Sequence, residues 1–420
     1  MSHYYSSIKF SEKNNRFSHN LEADYTCFAL WKSARPYRDK IRALLSAKFE
    51  ILLETEIVWS KENFHDNAAR LYENPLYDSI PKEKRKSQFA DKLGDEKFNL
   101  FVIKDIKPDY AYVISTSKII ELSNLNTVHV KAEIRKWIFN DLGVEYAVHS
   151  TNGIYEFFFQ APLLLGVELF NTLMDGETPT IPRITKDLEG ANGWSNWEEL
   201  FKILNLTNNY LVLKNHEGFP HENSYNHLEL LTDNYQRVAS ALAINQLSSD
   251  GSKGFIKVGG TNIPVDIRFI GDKYHNTSWQ KDMLNKKVNK NGYFELRTDM
   301  YFFSLLYSCK VQKSTVTDKD IEILDKLAKD LKFTWYEKEM LHSDDAIGEI
   351  LKGYFKAHQY HYEDPIDKQL SQKRQIIRHL PNENSIIVRE SKKTKLKRKI
   401  KDVIPESMFP LLKNIYNKVR

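Results

Sequence analysis

The 420-residue chain has only two cysteines, Cys27 and Cys309, far apart and without a CxxC or Cys/His spacing. That argues against a disulfide framework or a cysteine zinc site and suits a reducing compartment. Charge of one sign is also scarce: 61 Lys+Arg against 56 Asp+Glu leave +5, much of it in the last 30 residues. Such a balance does not call for a nucleic-acid partner. The longest strongly apolar stretch, FFFQAPLLLGVELF, is too short and too interrupted to span a bilayer and reads as a buried helix. The opening MSHYYSSIKFSEKNNR lacks the apolar core of a secretory signal, so a cytoplasmic location is the expectation. The GxGxxG, GxxxxGK[ST], HExxH and GxSxG signatures are missing too, and with them the chemistries they announce.

What is present is a globular composition, 41% hydrophobic and 28% charged, with 22 Tyr and 23 Phe. The length suggests more than one domain. Residues 1–175 alternate helical and strand periodicities: a helix over 36–50, strands at 49–60 and 98–106, a helix over 128–141, a short strand at 145–151 and an apolar helix over 153–174. This reads as an N-terminal mixed α/β domain, with a phosphate-binding, sugar-binding or kinase-like role. Residues 176–196 hold two of the 13 prolines, three of the 16 glycines and no period, and are expected to be a linker. Residues 197–375 read as a second, mixed-sheet domain closed by C-terminal helices. It would carry strands at 210–215 and 226–232, a helix over 233–246, a hairpin turning at VGGTN, and helices over 276–288, 299–313, 317–331 and 343–360. The fold class expected is therefore α/β plus α+β.

The chemistry is concentrated in LVLKNHEGFP, YNHLELLTD and IPVDIRFIG. His227 and Glu229 are two apart on one strand and so share a face, and Asp266 sits on a later strand. Carboxylates and an imidazole on adjacent strands can hold a divalent cation, Mg²⁺ or Mn²⁺, against a phosphate chain. Lys214 and Asn215 end the preceding strand, and with Arg268 they are candidate phosphate or donor contacts. A second set lies in the first domain. Lys131 and Arg135 are four apart on one helix face, and Ser150 and Asn152 belong to VHSTN between a strand and a helix. With the acids Asp105 and Glu156 they would form an anion pocket if they converge. His149 reads as a satisfied core histidine.

Residues 197–315 resemble the nucleotidyltransferase-fold, polymerase-β-like proteins of bacterial cell-surface polysaccharide synthesis, through LVLKNHEGFP, HLELL, VDIRFIGDKYHNTSWQKDML and FFSLLY. The resemblance implies a catalytic and metal-binding set of His227, Glu229 and Asp266. It also implies transfer of a phosphoryl, nucleotidyl or phospho-alditol group from a nucleotide-activated donor to a glycan or lipid-linked glycan. In that family the paired position is usually Asp-x-Asp, and here it is His227-x-Glu229. That departure keeps two alternatives open: an inactive binding or scaffold protein, and a small-molecule or sugar kinase whose activity lies in the first domain. The segment 376–420 contains SKKTKLKRKIK, seven basic residues in eleven, followed by an amphipathic stretch. Over 391–420 this pattern suits an anionic membrane surface, which would make the protein peripheral to the inner face of the membrane.

Overall fold

A computed structural model of the chain describes residues 10–11, 16–17, 23–73, 93–114, 120–221, 226–313 and 316–382. The basic and amphipathic stretch 391–420 lies outside the described residues. Those described fall into two compact units, one within Met1–Ile270 and Leu284–Leu296, the other within Gly271–Met283 and Arg297–Arg420. The architecture is mixed α/β, as expected from the sequence.

The first unit holds two mixed sheets. One has five strands: β1 (Asp24–Leu30), β2 (Glu50–Val58), β3 (Lys97–Asp105), β6 (Val148–Ser150) and β7 (Arg183–Thr185). A separate hairpin, β4 (Tyr110–Ile114) with β5 (Ile120–Asn124), lies between β3 and β6 in the chain. The sheet order is β6-β1-β3-β2-β7, antiparallel except for the parallel β2–β7 edge. Alternation along β1 explains why it is an interior strand with a core on each face. Cys27 and Ala29 enter one core with Leu52, Leu100 and Phe157, while Phe28 and Leu30 enter another with Ile41, Leu45 and Phe101. The second core is closed by α1 (Arg38–Lys48) and by α3 (Leu125–Leu142), through Val130, Ile134 and Ile138. Between these two helices comes α2 (Phe64–Leu71). The expected apolar helix over 153–174 is two helices, α4 (Ile154–Leu165) and α5 (Val167–Met174), broken at Gly166, whose φ is 82°.

The stretch 176–196 carries β7 and buries Leu188 and Trp194. Its Asp187 carboxylate accepts from the Ser60 backbone N–H and from the Asn63 and Asn67 side chains. Its lack of period has a physical reason: it is held by single hydrogen bonds and isolated side chains rather than by one continuous face.

The second sheet has six strands: β8 (Tyr210–Lys214), β9 (Leu228–Thr232), β10 (Lys253–Val258), β11 (Thr261–Phe269), β12 (Val288–Lys290) and β13 (Tyr293–Glu295), in the order β10-β11-β9-β8-β13-β12. β8–β9, β10–β11 and β12–β13 are antiparallel, whereas β9–β11 and β8–β13 are parallel. Helices α6 (Trp197–Thr207) and α7 (Tyr235–Ala241) belong to the same unit. Helix α8 (Thr277–Asn285) runs across the boundary between the units. In the second unit follow α9 (Thr298–Tyr307), α10 (Asp318–Asp330) with a Thr317–Asp320 capping box, α11 (Asp344–His358) and α12 (Arg374–Ile377). The helix expected over 299–313 ends at Tyr307 and continues as a π-helical turn, Ser308–Gln312. Among the described residues no helix is long and apolar enough to cross a membrane.

Candidate metal centre

Leu228 and Leu230 of β9 and Val265 and Ile267 of β11 enter the first unit's large core. Period-two geometry therefore turns Glu229, Asp266 and Arg268 to the opposite face of the sheet. Glu229 lies in register between two neighbours, with Asp266 across the parallel ladder and Lys214 across the antiparallel one. The Lys214 pairing depends on a register shift between Val212 and Lys214, which puts the lysine opposite Glu229. The loop between β8 and β9 leaves and returns through two asparagines with positive φ, Asn215 at 58° and Asn226 at 48°. Asparagine is among the few residues that adopt this conformation readily.

His227, directly before β9, joins the two acids: one ligand atom from each of His227, Glu229 and Asp266 lies within 4.8 Å of the others. The His227 Nε2 is 3.5 Å from Asp266 Oδ2. Both side chains are about one-quarter exposed, at 27% and 26%, whereas Glu229 is 3% exposed. Glu229 is divided between two environments. Its Oε2 is 2.9 Å from the Lys214 Nζ, and its Oε1 is buried with no hydrogen-bond partner. Burial raises the Asp266 pKa, but the hydrogen bond and charge of His227, helped by Arg268 and Lys253, outweigh it and hold the carboxyl below the usual range. Arg268 is buried on β11, and Lys253 faces Asp266 across the β10–β11 ladder.

This donor set fits one divalent cation. A buried carboxylate oxygen lacks a partner, a second carboxylate is kept ionised, and an imidazole nitrogen completes three ligands within reach of solvent. A mixed nitrogen and oxygen set favours Mn²⁺ over Mg²⁺, which prefers all-oxygen coordination.

Sequence reading places His216 at the strand end after β8 but misses its buried partners. The His216 Nδ1 is 3.0 Å from Glu295 Oε2, and the Tyr293 hydroxyl donates to the same carboxylate oxygen at 2.9 Å. Glu295 belongs to β13, in a stretch where no strand was expected. The available signal was Asn291-Gly292, whose φ values of 53° and 89° make the two-residue turn of the β12–β13 hairpin.

The residues expected to form an anion pocket in the first domain are neighbours in two linked clusters. Asp105 accepts from Asn124 and Asn126 side chains, each at 2.9 Å, and stands in register with the buried Asp24. Lys131 donates to the Ser150 carbonyl at 3.0 Å and the Asn152 side chain at 2.9 Å, while Arg135 donates to the Val148 carbonyl. Glu156 accepts from the Asn152 N–H at 2.7 Å. His149 is buried, hydrogen-bonded to Gln160 at 2.9 Å and packed edge-on against Tyr72. The two cations thus fasten β6 and the turn after it. Comparison with protein-family models, curated proteins and solved structures finds no match to this chain.

Proposed function

We propose that the protein is a metal-dependent transferase of a phosphorus-containing group, acting in bacterial surface polysaccharide synthesis on a nucleotide-activated donor and a glycan or lipid-linked glycan acceptor. The observation that carries this reading is the placement of Glu229 and Asp266 on adjacent strands, with His227 directly before the first of them and three ligand atoms within 4.8 Å. The sequence resemblance of residues 197–315 supplies the substrate class. A bound divalent cation would supply charge neutralisation for the phosphoryl oxygens. Glu229 and Asp266 would hold it, and His227 would add a nitrogen ligand and steady Asp266. Lys214 on the neighbouring β8 and Arg268 on β11 present cationic groups for the donor phosphates, with Asn215 at the end of β8. We place the protein in the cytoplasm, peripheral to the inner face of the membrane through the basic residues of 391–420.

The test is Mn²⁺ titration by calorimetry, followed by titration with CDP- and UDP-linked donors with and without Mn²⁺. Glu229→Gln and Asp266→Asn are expected to weaken Mn²⁺ binding by at least about ten-fold each, and to abolish donor turnover. Donor binding that ignores the cation would favour the inactive binding protein instead. Co-sedimentation of the full chain and of residues 1–390 with anionic vesicles checks the membrane role, and equal binding by the two would end it.

A further inference from the structure

We infer that Lys214 takes the place of a second cation, so that the His227–Glu229–Asp266 site binds one divalent ion per chain and uses a built-in ammonium as the other positive charge. The inference rests on the metal-site reading and extends it to stoichiometry. Glu229 is 3% exposed, and its two carboxylate oxygens have different fates. Oε2 meets the Lys214 Nζ at 2.9 Å, while Oε1 is buried without a hydrogen-bond partner. A carboxylate that bridges two cations uses one oxygen for each; here one oxygen is already committed to an ammonium.

The placement is built into the backbone. Without the register shift between Val212 and Lys214, the alternation of β8 would not bring this side chain against Glu229. The Lys214 side chain is itself only 12% exposed, so it is held at the site rather than waving in solvent. Charge points the same way. Two carboxylates balance one divalent ion, and Lys214, with Lys253 and Arg268 near Asp266, then leaves the site net positive, suited to a phosphate oxygen. A second divalent ion would add two more positive charges beside Lys214 and Lys253, which stand opposite Glu229 and Asp266 on the flanking strands, and beside Arg268 on β11 itself. Like charges at such separations repel strongly where solvent screens them poorly. One ion plus lysine is the arrangement the strands can accommodate.

The experiment is equilibrium dialysis of the full-length protein against Mn²⁺, with metal analysis and electron paramagnetic resonance of the loaded sample. The wild type is expected to hold one Mn²⁺ per chain with no dipolar coupling between ions. Lys214→Arg is expected to keep that stoichiometry. Lys214→Met is expected to tighten Mn²⁺ binding by roughly ten-fold or to admit a second ion, since the competing charge is gone. Two coupled ions in the wild type would overturn the inference while leaving the metal site intact. Lys214→Met binding Mn²⁺ as the wild type does would also overturn it. A wild type that binds no Mn²⁺ would overturn this inference and the metal-site reading together. Because the wild-type count alone is decisive, a Lys214→Met variant that fails to fold does not rescue the idea.

Discussion

Asp24 and His149 are both buried, and burial displaces their pKa values in ways that act oppositely on stability. Burial raises Asp24 from 3.8 to about 6, against hydrogen bonds from Asn124, the Tyr25 N–H and Tyr110, and with help from Asp105. Burial lowers His149 from 6.5 to about 3, reinforced by the charges of Lys131 and Arg135 and opposed by Gln160. Folded Asp24 keeps a proton that the unfolded chain has released, so its stabilisation is present below its unfolded value and is lost as pH rises through about 6. Folded His149 refuses a proton that the unfolded chain accepts, so its contribution is present above 6.5 and is lost as pH falls toward about 3. Between about pH 4 and 6 the two slopes oppose, each on the order of 1 kcal/mol per pH unit. Asp24→Asn is expected to make the loss of stability on acidification steeper than in the wild type. His149→Gln is expected to make it shallower or reverse it. Urea denaturation of the three proteins across this range checks both, and parallel curves would contradict the assignment. The burial of His149, its hydrogen bond to Gln160 and its packing on Tyr72 suit a structural role. A general-base role for it would require a group that takes up a proton much nearer neutrality.

At the scale of elements, the site depends on the ladder that holds β11. Gly254 of β10 stands in register with Val265, next to Asp266. A Cβ at Gly254 would meet Ile244 Cγ2 at 2.3 Å and the Asn245 carbonyl oxygen at 3.1 Å, so the strand or the 244–247 turn must move to admit it. Gly254→Ala is expected to destabilise the protein by about 1–3 kcal/mol and, by shifting Asp266, to weaken Mn²⁺ binding as well. Denaturant midpoints and the calorimetric titration read the two effects separately. Unchanged stability would show that β10 yields without strain. Strand β8 was legible as an apolar run and β11 as an alternation of apolar and polar residues, with β9 apolar around Glu229, and the turn residues Gly259 and Gly260 mark the β10–β11 hairpin. The chemistry on them was legible only in part. His227, Glu229 and Asp266 could be placed on shared faces by period two, but the contact of Lys214 with Glu229 depends on a bulge that no local signal announces. Lys131 and Arg135 were rightly placed on one helix face. Their backbone acceptors, however, are the Val148 and Ser150 carbonyls of β6, 13 and 19 residues away, which side-chain spacing cannot reveal; the Lys131 contact with the Asn152 side chain does join two of the residues singled out. Glu295 was missed because a three-residue strand is too short for any periodicity to register.

At the scale of the molecule, the large core of the first unit joins residues on both sides of 176–196. Cys27, Leu52, Phe157 and Phe170 precede that stretch, Leu188 and Trp194 lie in it, and Leu200, Val238 and Leu242 follow it, all in one buried cluster. Helix α4 packs against α6 across the same divide. Arg70, 1% exposed on α2, donates to the backbone carbonyls of Glu189, Ser240 and Ala241, all supplied by the later chain. A fragment ending at residue 175 would expose Phe157, Phe170 and the apolar face of α4 to water. It would also leave the Arg70 guanidinium without these acceptors. Uncovering several large side chains costs roughly 2 kcal/mol for each, which is comparable in sum to the whole stability of a domain. Residues 1–175 expressed alone are therefore expected to show no cooperative thermal transition and to bind a hydrophobic dye. The full chain should unfold cooperatively under the same conditions. A sharp calorimetric transition in the fragment would contradict this and would revive the idea that the first 175 residues carry a reaction of their own. Without it, the first 175 residues are one part of the unit that includes both sheets, in which the charged strand face bearing Glu229 and Asp266 lies opposite the shared core.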